Sequence, residues 1–403
     1  MDVNIAIVIA AYNRPGALKR LLQSVAAADY TGFDNIPLII SIDFSGSDGC
    51  KKVAEAFNWE HGNKTVRLQP QNIGLKEHII QCADLSQQYE AVIVLEDDLF
   101  VSSFFYQYAQ QAYSFYKEED AIAGIALYHN TFNEAALCPF EAIHDGYDNY
   151  FMQVPCSWGQ LWTGKQWKNF KDYLEKGFNL SESDLLPGNV LLWPANSSWK
   201  KIFYKYLVET KRYFVYPAIG LTTNFGDAGK HLTESLSVFQ APLLIGKKQF
   251  RFSSLQDSYS IYDAFFELEG IVYNKISQKD IPVSFDLNGT KPLEKINTKY
   301  LVSIKKCRNP QRKYAAALYP YENNILLDIN DEPGEEYYFS LAETKAFSAT
   351  NGFERLNIDV KRVFMHEALL GNAMRKEVER SGQYRLGRFL LKPYYFIKRI
   401  LNY

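Results

Sequence analysis

Three consecutive carboxylates end an apolar run early in the chain. Residues 92–95 are Val-Ile-Val-Leu, and Glu96, Asp97 and Asp98 follow directly. Adjacent acids repel one another unless a cation or hydrogen-bond donors offset their charge. Mg²⁺ and Mn²⁺ are commonly held by one or two carboxylates together with the phosphate oxygens of a substrate. The run therefore predicts a divalent-metal site for a phosphorylated ligand.

The simpler interpretation of these acids is a solvated strand end that leads into the next helix. That helix is predicted over residues 104–116, and the hydroxyl of Ser102 or Ser103 would cap its first turn. The residues of the motif alone leave both interpretations open.

Other polar residues also follow apolar runs. Strands are predicted at residues 3–10, 38–42, 65–68 and 92–95, with helices at 17–28, at 51–59 and from 72 onward. This alternation predicts an α/β fold with a parallel, doubly wound, Rossmann-like sheet. The carboxyl ends of parallel strands share one edge, where ligands bind. The residues expected at that edge, besides the acids, are Tyr12, Arg14, Asp43, Asn72 and Lys76.

The pattern becomes mixed after residue 120. An aromatic loop is predicted at residues 157–162, ahead of a helix, and a flexible polar segment with two glycines at 224–231. A soft boundary near residues 250–255 divides the chain into a domain at 1–252 and an accessory region at 253–403.

The last twenty residues combine five Lys and Arg, no acid and many aromatic or aliphatic residues. Such composition suits a segment that lies in a membrane interface, with cations against anionic headgroups. A terminal helix packed on its own domain is an equal alternative.

Composition narrows the function classes. The chain has 403 residues and a net charge of −2, which gives no global field for nucleic acid. The five cysteines lack paired spacing, which favours a reducing compartment over a disulfide framework or a zinc site. The first residues form a predicted strand without a basic leader, and no run reaches the ~20 apolar residues that a spanning helix needs. We expect a cytoplasmic protein, peripheral on the inner face of the cell membrane.

The motifs together resemble the nucleotide-sugar-dependent glycosyltransferases of family 2. The resemblance rests on Ala11-Tyr12-Asn13-Arg14-Pro15, Asp43, Asn72-Ile73-Gly74-Leu75 and the acids at 96–98. The stretch 96–105, Trp158-Gly159 and residues 224–231 are similar to bacterial polysaccharide glycosyltransferases related to N-acetylglucosaminyltransferase I. The resemblance covers residues 3–250 and implies a GT-A type fold with a carboxyl-terminal appendage.

The resemblance implies a role for each matching residue. Arg14 would contact the nucleotide, and Asp43 would bind the uracil of a UDP-sugar. Glu96 and Asp97 would lie against the ribose and the donor sugar. Asp98 would bind Mn²⁺ or Mg²⁺, and His231 would close over the diphosphate and add a metal ligand. Tyr12, Asn72 and Lys76 complete the predicted donor site.

The catalytic base is where the sequence departs from the family. The aspartate expected before a tryptophan-containing helix is absent, since residues 194–199 read Pro-Ala-Asn-Ser-Ser-Trp. Asp227, in the glycine-containing segment, and Asp184 are the substitutes, with Asp227 preferred because its loop would cover the donor. A turn-forming role for Asp227 is an equally good explanation.

The resulting hypothesis is an inverting, metal-dependent glycosyltransferase of bacterial surface polysaccharide synthesis, acting on a glycan or lipid-linked acceptor. Two alternatives remain: a catalytically inactive nucleotide-sugar-binding subunit, and a sugar nucleotidyltransferase. The second ranks low because the turn at residues 12–16 has one glycine, whereas such enzymes carry a glycine-rich loop there.

Overall fold

A computed structural model describes residues 4–177, 181, 184–194, 196–227, 237–246, 249–330, 337–349, 376, 378, 380 and 381. The chain divides into two compact units, residues 1–349 and 350–403. The predicted membrane-docking tail and His231 lie outside the described residues.

The strands alternate with helices over the first hundred residues, as the sequence predicts. In chain order the strands are β1 (Ile5–Ala11), β2 (Leu38–Ile42), β3 (Lys64–Leu68), β4 (Ala91–Glu96), β5 (Leu99–Val101), β6 (Ile122–Ala126), β7 (Phe132–Asn133), β8 (Cys138–Pro139), β9 (Asn149–Met152), β10 (Gln160–Thr163), β11 (Tyr213–Pro217), β12 (Thr222–Asn224), β13 (Ile261–Tyr262), β14 (Val283–Asp286), β15 (Tyr300–Ser303), β16 (Arg312–Ala315) and β17 (Tyr338–Glu343). The helices are α1 (Pro15–Ala26), α2 (Gly49–Ala56), α3 (Gly74–Asp84), α4 (Phe105–Tyr116), α5 (Gly164–Glu175), α6 (Gly188–Leu192), α7 (Trp199–Thr210), α8 (Gly270–Ser277) and α9 (Glu322–Leu326).

The described residues form a large central sheet with the order β13-β9-β11-β6-β10-β4-β1-β2-β3. Five of its eight neighbouring pairs are parallel, which confirms the predicted mostly parallel α/β fold. Every residue of β1 and β2 is buried, as their sequences predict, since Ser41 is the one residue in them that is not Val, Ile, Leu or Ala. Since β1, β2 and β4 run parallel, their carboxyl ends meet at one edge.

The prediction of an aromatic loop at residues 157–162 was partly wrong. Gln160–Thr163 is the strand β10, which lies antiparallel between β4 and β6 with all four residues buried. Trp162 contacts the rings of Trp167, Trp199 and Phe203, so these aromatic residues fill the core. A short aromatic run next to a glycine has no periodicity that separates a buried strand from a loop.

A second, four-stranded sheet has the order β14-β15-β17-β16. The strand β13, which precedes it in the chain, pairs with β9 of the central sheet. The boundary predicted at 252/253 therefore falls within the first compact unit, and an independent region at 253–403 stays a prediction.

Candidate functional site

The acid motif lies where β4 leaves the central sheet. Glu96 is the last residue of β4, and Asp97 and Asp98 form the turn into β5. The short strand β5 pairs with β12, and the backbone N–H of Phe225 donates to the carbonyl of Asp98 at 2.9 Å. The structure thus brings the start of the predicted polar segment against the acids.

Arg14 binds both aspartates of the motif. Its Nη2 lies 2.5 Å from Asp97 Oδ1, and its Nη1 lies 3.0 Å from Asp98 Oδ2. The backbone N–H of Tyr12 donates to Asp97 Oδ2 at 3.3 Å. Because β1 and β4 are parallel neighbours, the loop after β1 reaches the acids, as the sequence predicts.

The close packing of charged groups at this strand end shifts their pKa values. Burial, followed by the neighbouring Asp98 and Asp97, raises the pKa of Glu96 to about 8, while Arg14 and Lys200 oppose the rise. Burial also raises the pKa of Asp97, against the effect of Arg14. The pKa of Arg14 is raised although burial lowers it, because the two aspartates stabilise its charge.

One buried carboxylate oxygen in the motif has no partner among the described residues. Asp98 Oδ1 is buried and accepts no hydrogen bond, whereas Asp98 Oδ2 binds Arg14. A buried oxygen without a partner costs free energy unless a ligand or a cation satisfies it. The donor set therefore fits Mn²⁺ or Mg²⁺, with Asp98 as the protein ligand.

The described residues contain no group of three His, Cys, Asp or Glu side chains placed to hold a metal.

Asp43 is buried at the end of β2 and holds the turn that precedes α3. Its carboxylate accepts from the backbone N–H groups of Phe44 at 2.8 Å, Ile73 at 3.0 Å and Gly74 at 3.1 Å, and from Asn72 Nδ2 at 3.1 Å. The structure therefore brings Asp43 and Asn72 together, as predicted for the same edge. Lys76 follows in the first turn of α3 and is half-buried.

Asp227, the preferred candidate for the base, forms an ion pair with Arg20 of α1. The guanidinium of Arg20 also stacks on Phe225, with its Cζ 3.6 Å from the ring centroid. These contacts attach residues 225–227 to α1 beside the acid motif. The Asp227 carboxylate is therefore already bound to a cation, which leaves it less accessible to an acceptor hydroxyl.

Asp184, the second candidate, has different surroundings. Its Oδ1 lies 2.6 Å from Lys205 Nζ of α7, and its carbonyl accepts from Lys295 Nζ at 3.0 Å. It lines a cavity of about 550 Å³ together with Leu186 and Glu294. The lining of that cavity, within the described part of the chain, includes none of the three acids of the motif. The structure therefore does not place Asp184 with them.

Three charged residues near the motif were missed by the sequence analysis. Arg20 anchors Asp227, Lys200 acts on the protonation of Glu96, and Glu134 pairs with Lys200 at 3.8 Å. Lys200 follows Trp199 at the start of α7, and Glu134 lies between β7 and β8. No pattern within either segment signals that the other lies beside it.

Comparison with known proteins gives a match over the first part of the chain. Residues 6–150 match the model of glycosyl transferase family 2, a stretch that includes every residue predicted for the donor site except His231. The match confirms the predicted glycosyltransferase class for this region. The finer relation to N-acetylglucosaminyltransferase I stays a prediction. No curated protein matches the chain.

Similar solved structures include S. aureus TarS 1–349, at 13% identity and a TM-score of 0.35 over 54% of this chain and 58% of that chain. The same TarS fragment in complex with UDP-GlcNAc gives 15% identity and a TM-score of 0.32, over 53% and 58%. The mannosyltransferase PcManGT from Pyrobaculum calidifontis, in complex with GDP-Man and Mn²⁺, gives 10% identity and 0.30, over 44% and 48%. The chain thus spans about half the length of these proteins.

Proposed function

We propose that this protein transfers a sugar from a nucleotide-sugar donor, a UDP-sugar in the first instance, to a hydroxyl group of a glycan or lipid-linked glycan. The main support for the proposal is that the acid motif lies within the region that matches the glycosyltransferase family. There, Asp98 presents a buried oxygen without a partner among the described residues, beside Arg14.

The chemistry requires negative charge to be stabilised where the sugar leaves the diphosphate. A divalent cation held by Asp98 would supply Lewis-acid stabilisation of that charge. Arg14, bound to Asp97 and Asp98, fixes the two carboxylates in the turn after β4. Asp43 and Asn72 fix the loop that begins α3 at the same edge, where the nucleotide would bind.

We further propose an inverting transfer, in which a carboxylate accepts the proton of the acceptor hydroxyl while that oxygen attacks C1 of the sugar. The basic and aromatic composition of residues 384–403 supports the proposed acceptor class, because it suits the inner leaflet where lipid-linked glycans of a bacterial surface polysaccharide are built. In the described part of the chain, no helix has the length and apolar content to cross a bilayer.

Calorimetry with purified protein tests the donor site. We would titrate a panel of UDP- and GDP-sugars in the presence of Mn²⁺ and then of EDTA. One donor should bind with the metal, and both EDTA and Asp98→Ala should weaken binding at least about tenfold, or about 1.4 kcal/mol. Asp120→Asn, at an exposed acid paired with Lys165, is the matched control and should bind normally. Absence of binding by every donor would refute the proposal.

A further inference from the structure

A lysine near the acid motif pairs with a glutamate and also lies close to two tryptophan rings. Lys200 Nζ lies 3.8 Å from Glu134 Oε1, with 15% and 23% of the respective side chains exposed. The same ammonium lies 5.4 Å from the ring centroid of Trp158 and 5.5 Å from that of Trp193. We call Glu134, Trp158, Trp193 and Lys200 the tryptophan–lysine cluster.

The two charged groups of this cluster are incompletely satisfied by the described residues. Their separation of 3.8 Å is longer than a hydrogen bond, and neither side chain has a hydrogen-bond partner in the described part of the chain. An ammonium carries three donors, and a carboxylate accepts through two oxygens. Polar groups that are mostly buried need partners, and a ligand with hydroxyl groups supplies both a donor and an acceptor.

Local contacts hold the cluster next to the acids. Thr222 Oγ1 of β12 donates to the carbonyl of Trp158 at 2.5 Å, and β12 pairs with β5, which follows Asp98 directly. Gly159 has φ +95°, and a Cβ there would lie 2.8 Å from Thr222 Cγ2, so only glycine permits this close approach.

The cluster has the composition of a carbohydrate subsite. The apolar face of a pyranose packs on aromatic rings such as Trp158 and Trp193, as other apolar groups do. A hydroxyl of that sugar can accept from Lys200 and donate to Glu134. This subsite shares no residue with the proposed donor contacts of Arg14 and Asp43.

We propose that the tryptophan–lysine cluster binds the acceptor sugar and that Glu134 is the general base. The proton of the acceptor hydroxyl passes to the Glu134 carboxylate, and the acceptor oxygen forms a bond to C1 of the donor sugar. The bond between C1 and the diphosphate oxygen breaks, and its electron pair leaves with the diphosphate. This inference rests on the proposed glycosyltransferase function.

Glu134 has an advantage over the two candidates from the sequence. Asp227 is ion-paired and hydrogen-bonded to Arg20, and Asp184 lies 2.6 Å from Lys205. The ammonium beside Glu134 is more distant, at 3.8 Å, and the Glu134 carboxylate has no hydrogen-bond partner among the described residues, so its oxygens are open to a bound hydroxyl.

The test compares Glu134→Gln with Glu141→Gln, a control at an exposed glutamate of the same segment. The protein would be assayed with its preferred donor, Mn²⁺ and methyl glycosides of glucose, galactose and N-acetylglucosamine as acceptors. Glu134→Gln should lower kcat for transfer roughly 10²- to 10⁴-fold while donor affinity stays unchanged, and Glu134→Asp should restore part of the rate. Glu141→Gln should match the unmodified protein.

Lys200→Met separates acceptor binding from the proton transfer. It should raise KM for the methyl glycoside about tenfold, since one charged hydrogen bond is lost, with little change in donor affinity. Lys168→Met, at an exposed lysine of α5, is the control.

Several outcomes would overturn the inference. The first is full transfer activity in Glu134→Gln, and the second is a Glu134→Gln variant that loses donor affinity alone. The third is an unmodified protein that cleaves the donor but neither binds nor glycosylates any methyl glycoside. Failure of every donor to bind the unmodified protein would instead contradict the proposed function.

Discussion

At the scale of single residues, Asp43 combines a predicted ligand role with a clear structural one. Its two carboxylate oxygens accept from three backbone N–H groups and from Asn72, and only 4% of the residue is exposed. The carboxylate therefore satisfies donors in the loop that leads into α3. This arrangement fixes that loop at the edge where the nucleotide is expected.

Asp43→Asn tests this structural role. The amide replaces one acceptor oxygen with a donor, so at least one buried N–H loses its partner, and we expect a loss of about 2 kcal/mol in the free energy of unfolding. Urea unfolding measures the loss. Asp48→Asn is the control. Asp48 is the exposed N-cap residue of α2, and its side chain makes no capping hydrogen bond, so the substitution should change stability little. Equal stability of Asp43→Asn and the unmodified protein would contradict the role.

The acids of the donor site could be predicted because their signal is local. An apolar run that stops at Glu96, Asp97 and Asp98 marks a strand end from the sequence alone. The pairing of Glu134 with Lys200 could not be predicted in the same way. The two residues are 66 positions apart, and only the packing of α7 and of the β7–β8 turn brings them together.

At the scale of elements, α3 is coupled to the central sheet through a buried histidine. His78 is 3% exposed, and its Nε2 lies 2.8 Å from Ser41 Oγ of β2. Burial lowers the pKa of His78 from its ordinary value of 6.5, although the nearby Asp43 opposes the change. The native state therefore favours the neutral ring.

The sign of the resulting pH dependence follows from linkage. Because the folded-state pKa is lowered, the stabilising contribution of neutral His78 is present above pH 6.5 and is lost as the pH falls through the lowered value. We expect the stability advantage of the unmodified protein over His78→Gln to shrink between about pH 7.5 and about pH 5.5.

Urea unfolding at the two pH values measures this advantage. His144→Gln, at an exposed histidine, is the control variant. An advantage that is unchanged or larger at the lower pH would contradict the account of His78.

Strand and helix order was also predictable at this scale, but the position of β10 was not. The repeated strand–helix pattern of the first hundred residues is visible in the sequence, and the predicted β2 at residues 38–42 has its observed bounds. In contrast, β10 is a short strand, and its antiparallel placement depends on contacts with β4 and β6. Long-range pairing of this kind leaves no local pattern.

At the scale of the whole molecule, the question is whether the four-stranded sheet unfolds with the central sheet. Asp286, at the end of β14, is fully buried and forms an ion pair with Lys305. It also accepts from the backbone N–H of Lys291 at 2.9 Å and from Ser303 Oγ at 3.2 Å. Removing one partner of a buried ion pair leaves the other charge uncompensated.

Asp286→Ala should therefore cost about 3 to 5 kcal/mol of stability in the region that contains it. All six tryptophans lie between residues 59 and 199, so tryptophan fluorescence reports unfolding of the amino-terminal part alone. Because residues 1–349 form one compact unit, we expect the fluorescence midpoint in urea to shift to lower denaturant.

The control is Glu343→Gln, at a surface pair with Lys345, which should leave the midpoint almost unchanged. A fluorescence midpoint that does not move in Asp286→Ala, while circular dichroism shows a separate early transition, would favour an independent region at 253–403. It would contradict cooperative unfolding of the whole unit.

The central claim is that the chain cleaves a nucleotide sugar at an acid motif that uses a divalent cation. The most direct measurement is release of nucleoside diphosphate from a panel of UDP- and GDP-sugars in the presence of methyl glycosides of glucose, galactose and N-acetylglucosamine as acceptors, with Mn²⁺ and with EDTA. We predict that nucleoside diphosphate is released from one donor. EDTA and Asp98→Ala should each abolish this release, whereas Asp120→Asn should leave it unchanged. Intact donors under every condition, or pyrophosphate released from a nucleoside triphosphate instead, would contradict the account.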